Sequence, residues 1–234
     1  MKRINLLLTF SSLSVVLVTI ERFSFTTRIL LQPYSFMRLH EIVQIAVIIL
    51  LTVIIPFLII QDASGNFESL KAKKGRLLLL LFVVGVYFYA TGNGLHEVSS
   101  FNFNHFCDVK KFSGDLCGGM FFNDFYTGNI LYFIGAILMN VAILLFEKLR
   151  PNKTYEKKDL PATVINALVY ALAIFAYAAF DTVLVGMVYS LIMTGIAVYF
   201  FVLARKRYLQ YPYTTYTLVT YLVGTIAAIL VRFH

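Results

Sequence analysis

The stretch ATVINALVYALAIFAYAAFDTVLVGMVYSLIMTGIAVYFFVL, residues 162–203, decides the fold. Along its whole length only Asp181 carries a charge. As a single helix it would be about 60 Å long, twice the roughly 30 Å hydrocarbon thickness of a bilayer. Asp181-Thr182 divides it into halves that each match one span. The reading is an antiparallel pair, with helices at 162–180 and 183–203 folded back on each other at Asp181.

The pattern repeats outward from that pair. Apolar runs predict helices at 4–20, 41–60, 77–97, 124–146 and 213–231, separated by short polar or basic loops and one longer loop at 98–123. Pro56 lies inside the second run, where neighbouring helices can satisfy the carbonyl it frees. The run at 4–20 follows Lys2-Arg3 as a secretory signal does, but it is long for one and no A-x-A-like site follows it, so it reads as the first span. Hydrophobic residues make up 59% of the chain and charged residues 14%. A soluble domain carries about 25% charged residues, too many more for this chain to cover a water-facing surface of that size. The expected fold is all-α: a polytopic integral membrane protein, one domain over residues 1–234, with seven transmembrane helices.

The formal charge of +8 would suggest a nucleic-acid partner in a soluble protein. Here the basic residues cluster between apolar runs, as juxtamembrane charges do, so no nucleic acid is expected. With seven spans, the segments on the N-terminal side hold 14 of the 20 Lys and Arg. The positive-inside bias then puts the N-terminus inside and the C-terminus outside, in a bacterial-type plasma membrane. Cys107 and Cys117 fall in the third-to-fourth connection, which this topology places outside, where a disulfide between them would persist. The sequon Asn152-Lys153-Thr154 falls inside and would go unused.

The segment ATGNGLHEVSSFNFNHFCDVKKFSGDLCGGMFFNDFYTGN, residues 90–129, holds two of the four histidines and both cysteines. On the third helix Asn93, His96, Glu97 and Ser100 share one face by i, i+3, i+4 and i+7 spacing. The second helix opens with His40, Glu41 and Gln44, and the fourth with Asp124, Thr127 and Gly128. Glu21 and Asp181 lie at the same level, the latter reading as a turn residue. Imidazoles and carboxylates from several helices are the ligand set of a divalent metal such as zinc. Such an ion lowers the pKa of a bound water enough for it to attack an ester or amide. His96, Asp124, His40, Glu41 and His105 are the candidate ligands. His96, Asp124, Glu97 and Ser100 are the candidate catalytic groups. Gly92 and Gly94 would allow close helix approach or local unwinding there. The plainer reading is a solvated polar cap at the membrane boundary, since only polar groups inside the bundle are expensive enough to signal function by default.

Other seven-helix chemistries lack their residues. A retinal protein needs a Schiff-base lysine, and the run at 213–231 has none. No G-x-S-x-G-type nucleophile motif is present. Ion-coupled transport wants charges or broken helices near mid-depth, where this chain offers only Asn140 and Asn166.

Gly92-Asn93-Gly94-Leu95-His96, followed by Asp124-Phe125-Tyr126-Thr127-Gly128-Asn129, resembles a pattern in uncharacterised prokaryotic polytopic membrane proteins, G-x-G-x-H followed by D-x-x-x-[GS]-H. Asn129 stands where that pattern has histidine. The chain also bears a looser likeness to seven-helix metal-dependent hydrolases that include alkaline ceramidases. That likeness implies a lipid or small-molecule substrate, with His96, Asp124 and Ser100 standing in for part of the site. Helices five to seven hold no counterpart of the paired late histidines. Two functions are therefore expected: an outward-facing metal-dependent hydrolase or lipid-modifying enzyme, or a non-enzymatic binding or carrier protein whose cystine-closed loop recognises a partner.

Overall fold

A computed structural model describes residues 2–111, 114–152, 155–204 and 207–234. The sequon's Lys153 and Thr154, and the basic residues Arg205 and Lys206, lie outside the described residues. The chain forms seven main helices that alternate in direction: α1 Arg3–Glu21, α2 Leu39–Ala63, α3 Lys73–Phe106, α4 Asp115–Leu149, α5 Leu160–Phe180, α6 Val185–Leu203 and α7 Pro212–Arg232. Each belongs to a helical segment long and apolar enough to cross a membrane. Among the described residues the only β pairing is an isolated bridge between Leu30 and Arg38.

Which residues turn inward shows the kind of solvent this bundle is built for. Ala167, Ala171, Ala178, Thr163, Ser190, Thr217 and Thr220 are buried, while Ile165, Leu172 and Val202 are more than 60% exposed. So many large aliphatic side chains left outside, while small and hydroxylated ones share the interior with Phe146, Leu144 and Ile143, would be wasteful in water. The arrangement suits lipid, where small residues let helices approach and hydroxyls bond across them. Such bonds tie α1 to α5: Ser12 Oγ donates to Asn166 O at 2.7 Å, and Asn166 Nδ2 to Thr9 Oγ1 at 2.9 Å. Asn166 thus bonds helix to helix rather than facing an open path.

Helices α3 and α4 pack backbone against backbone. A Cβ built on Gly92 would sit 2.2 Å from Tyr132 N, and one on Gly135 would sit 2.2 Å from Tyr89 N. Gly85, Gly92, Gly128 and Gly135 recur every seven residues along the two facing stripes, so the backbones touch. Gly94 has nothing within 4 Å of its would-be Cβ, and α3 passes through it unbroken, so the close approach belongs to Gly92 alone and no unwinding occurs.

The expected loop at 98–123 is largely helical. Helix α3 continues to Phe106 and α4 begins at Asp115, leaving 107–114 as the connection. At 34 and 35 residues, each helix is about 50 Å long at 1.5 Å per residue and overshoots a 30 Å core by about 20 Å. Hydropathy reads where a chain leaves lipid, not where a helix stops. Here Phe103, Phe121 and Phe125 pack across the pair, and the Cys107–Cys117 disulfide closes its tip with the Cα atoms 5.9 Å apart. The sixth helix likewise starts at Val185, later than expected, because Asp181 caps the end of α5 and its Oδ1 accepts from Val183 N–H at 3.5 Å.

Candidate functional site

At the end of the bundle where α1 finishes, the chain between α1 and α2 folds over the helix ends. Leu31 N bonds Met37 O and Leu39 N bonds Ile29 O, both at 2.8 Å, so Arg38 and the start of α2 are fixed in place. Glu41 turns back on that start: Arg38 N and Nε each donate to its carboxylate at 2.8 Å, and Arg38 Nη2 joins them. Glu41 is 1% exposed. Its oxygens complete a capping box and are engaged by Arg38. The Arg38 guanidinium in turn covers the Phe101 ring at 5.6 Å.

His40 bridges three helices. Its Nδ1 lies 2.6 Å from Glu21 Oε2 on α1, and its Nε2 lies 4.0 Å from Glu97 Oε2 on α3. Gln44 Nε2 donates to the same Glu21 oxygen at 2.7 Å. Arg22 lies within electrostatic range of Glu97, Glu21, Tyr132 and Tyr177. This is a buried polar relay with an acid on each side of one imidazole.

The second pair lies across the α3–α4 contact. His96 Nδ1 is 2.8 Å from Asp124 Oδ1 and 3.1 Å from Asp124 O. The Asp124 side chain is 3% exposed and that of His96 20%. Two features place it. A Cβ on Gly128 would lie 2.8 Å from His96 N, so glycine there lets α3 come close. Asp124 sits in a π-helical turn, Asn123–Gly128, whose widened backbone is braced by Asn129 Nδ2 donating to Asp124 O and Phe125 O at 3.3 and 3.2 Å. A matching π-helical turn, Val43–Ile48, follows His40 and Glu41. Single π-turns inside α-helices recur at functional sites. Apolar periodicity gives no signal for them.

Asp181, from the α5–α6 turn, is within electrostatic range of His96, and burial raises its carboxyl above the ordinary range. One turn before His96, Asn93 Nδ2 is a buried donor with no hydrogen-bond partner among the described residues.

The remaining candidates lie apart from these pairs. Ser100 accepts from Asn104 Nδ2 through its carbonyl at 2.7 Å and its hydroxyl at 3.4 Å, and no hydrogen bond joins it to His96 among the described residues. His105 is exposed on the far part of α3, stacked on Phe101 at 5.1 Å. Among the described residues no three His, Cys, Asp or Glu side chains converge as metal ligands. The expected set of His96, Asp124, His40, Glu41 and His105 therefore resolves into separate partnerships. Helix spacing predicts which residues share a face but not which neighbouring helix each face meets.

A further polar centre, at mid-depth, has no motif to announce it. It is a cavity of about 50 Å³ among α1, α2, α3, α4, α5 and α7, walled by Ser14, Thr52, Tyr89, Asn140, Tyr213 and Tyr216 among others. No family model matches the sequence, and no characterised protein or solved structure matches it either.

Proposed function

We propose that the chain is an integral membrane enzyme that uses His96 as its proton-transfer group on a lipid-borne or other small substrate, in a hydrolytic or related lipid-modifying reaction. One observation carries this reading: a partly exposed imidazole whose Nδ1 donates to Asp124 O at 3.1 Å, with the buried Asp124 Oδ1 2.8 Å from the same nitrogen. A carboxylate on that side favours the tautomer with hydrogen on Nδ1 and leaves Nε2 as the base, the arrangement used to activate a hydroxyl or water. Asn93 supplies an unmet amide donor on the same helix face, suited to a substrate oxygen. Glu97 and His40 form the neighbouring relay through which a proton could leave.

The sidedness belongs to the same proposal. The His96 end shares the Cys107–Cys117 disulfide, and the opposite end carries the larger share of the basic residues. Both features favour a site facing outside with the N-terminus inside. A divalent metal version, with zinc on His96 and Asp124, would require His40 to leave Glu21 and Glu97 and become the third ligand.

The test uses protein in proteoliposomes made from total bacterial membrane lipid, with lipid composition followed by mass spectrometry. Wild type should convert at least one lipid species. His96→Ala and Asp124→Asn should each slow that conversion by about 10²–10⁴-fold, the usual contribution of a positioned acid–base group. Metal analysis of the same samples distinguishes the versions, since one bound zinc lost in His96→Ala supports the metal-assisted form. Lipid left unchanged by wild type removes the hydrolase reading.

A second reading rests on the stapled tip of α3 and α4. Phe106, Leu116 and Phe122 are 64%, 73% and 56% exposed there, beyond the depth that lipid covers if the helices run near the membrane normal. Under this reading the tip binds another membrane protein. Reduction of the disulfide then abolishes binding while His96→Ala leaves it intact.

A further inference from the structure

The mid-depth cavity has a mixed wall, with hydroxyl and amide groups beside apolar side chains such as Ile55, Met139 and Ile143, and among the described residues no charged side chain lines it. Two of those groups bond to each other, Tyr213 Oη donating to Asn140 Oδ1 at 2.7 Å, and Tyr216 Oη lies 3.2 Å from Ser12 Oγ behind the wall. A cavity that is both polar and large enough for water fills with it, whereas an apolar void of the same size stays dry.

The cavity has a second neighbour. At the end of the bundle opposite His96 lies a pocket of about 650 Å³ among Lys2, Arg3, Asp62 and Arg150. Tyr213 and Ile59 line both spaces, so they form the wall between them. Tyr213 is at the first turn of α7, whose N–H groups are held by Glu147: Tyr213 N donates to Oε1 at 2.7 Å and Thr214 N to Oε2 at 2.8 Å. Toward His96 the cavity stops at Tyr89. That ring stacks on Tyr132 at 4.4 Å, the two hydroxyls are 3.0 Å apart, and the backbones beside them are in contact at Gly92 and Gly135.

We propose that these two spaces form an aqueous half-channel, which admits water and uncharged solutes of similar size from the Lys2–Arg150 end to mid-depth and is sealed toward His96 by Tyr89 and Tyr132. At its inner end the occupant is neutral and hydrogen-bonding, because the wall of the cavity beyond Tyr213 offers donors, acceptors and aromatic faces but no counter-charge, unlike the charged outer pocket. Tyr213 is its neck. The half-channel is independent of the His96 chemistry, from which the tyrosine pair separates it.

Hydroxyl-radical footprinting of the wild-type protein in nanodiscs tests hydration directly, since radicals form from water beside the side chain. Tyr170, Tyr213 and Tyr216 should be modified at least tenfold faster than Tyr189, which is buried against Phe133 and does not line the cavity. Equal rates overturn the proposal. Sidedness is read from Ser14→Cys and Thr52→Cys, whose new thiols are unique because the native cysteines are paired. Silver ion added on the Lys2–Arg150 side should react with them, and added on the other side should not; adding Tyr213→Trp should slow the reaction at least tenfold. Reaction from the His96 side, or no effect at the neck, overturns the proposal even where the variants alter stability, because the wild-type footprint is measured separately.

Discussion

Single residues decide how close the two halves of the His96 site come. Gly92 and Gly128 are the contact points nearest His96 where α3 and α4 touch backbone to backbone, and any side chain there must push the helices apart. Gly92→Ala should therefore cost about 1–3 kcal/mol, as overpacking does, and should also lengthen the His96–Asp124 contact. Gly94→Ala, two residues on, meets open space and should be neutral or slightly stabilising. Comparing the two in detergent thermal melts isolates packing from helix propensity. Glu147 is the other residue with leverage. It is 4% exposed, and its carboxylate takes both N–H groups and the Thr214 hydroxyl at the start of α7. Glu147→Ala leaves those buried donors unmet, at about 1–3 kcal/mol for each orphaned group. Unfolding of this variant should begin in α7, seen as faster hydrogen exchange at Tyr213 and Thr214 than in the rest of the helix.

At the scale of elements, the main feature is the α3–α4 hairpin. Both helices are longer than a 30 Å hydrocarbon core needs, and aromatic packing and one disulfide hold their far ends together. Closing so short a loop contributes about 2–3 kcal/mol in the chain-entropy account. Cys107→Ser with Cys117→Ser should fray the tip as far as Phe103 and Phe121 while leaving the Gly92–Gly135 contact intact. Limited proteolysis should then cut between 100 and 122 in the variant but not in wild type. Cleavage near 85 or 135 instead would mean that the disulfide supports the bundle as a whole. The two π-helical turns are the other local departures, and each stands beside a titratable pair: Val43–Ile48 after His40, and Asn123–Gly128 around Asp124. Each turns its helix by one extra residue, which changes the face presented just where the two pairs form.

Over the whole molecule, the seven helices divide into a polar relay at one end, a tyrosine-walled cavity at mid-depth and a charged pocket at the other end. The fold-back at Asp181 was legible in residues 162–203 alone, because an apolar run twice the bilayer thickness has to turn, and the other five helices were legible in their own apolar runs. The cysteine pair and the His96–Asp124 pairing were legible as candidates because their residue types are rare in this chain and fall at one level. The separation of His40 from His96, and the loss of Glu41 to Arg38, were not. Each depends on which carboxylate reaches an imidazole first, and that is set by helix rotation and by the loop at 22–38. The cavity was hidden for a related reason: tyrosine and threonine at mid-depth read equally well as packing until the helices around them are placed. The sequence by itself thus determined that the chain is a seven-helix bundle suited to lipid, since hydrophobic length is a local property. Which polar groups meet was decided only by tertiary structure, because a contact between helices depends on backbone proximity, here granted by four glycines, that no single stretch of sequence encodes.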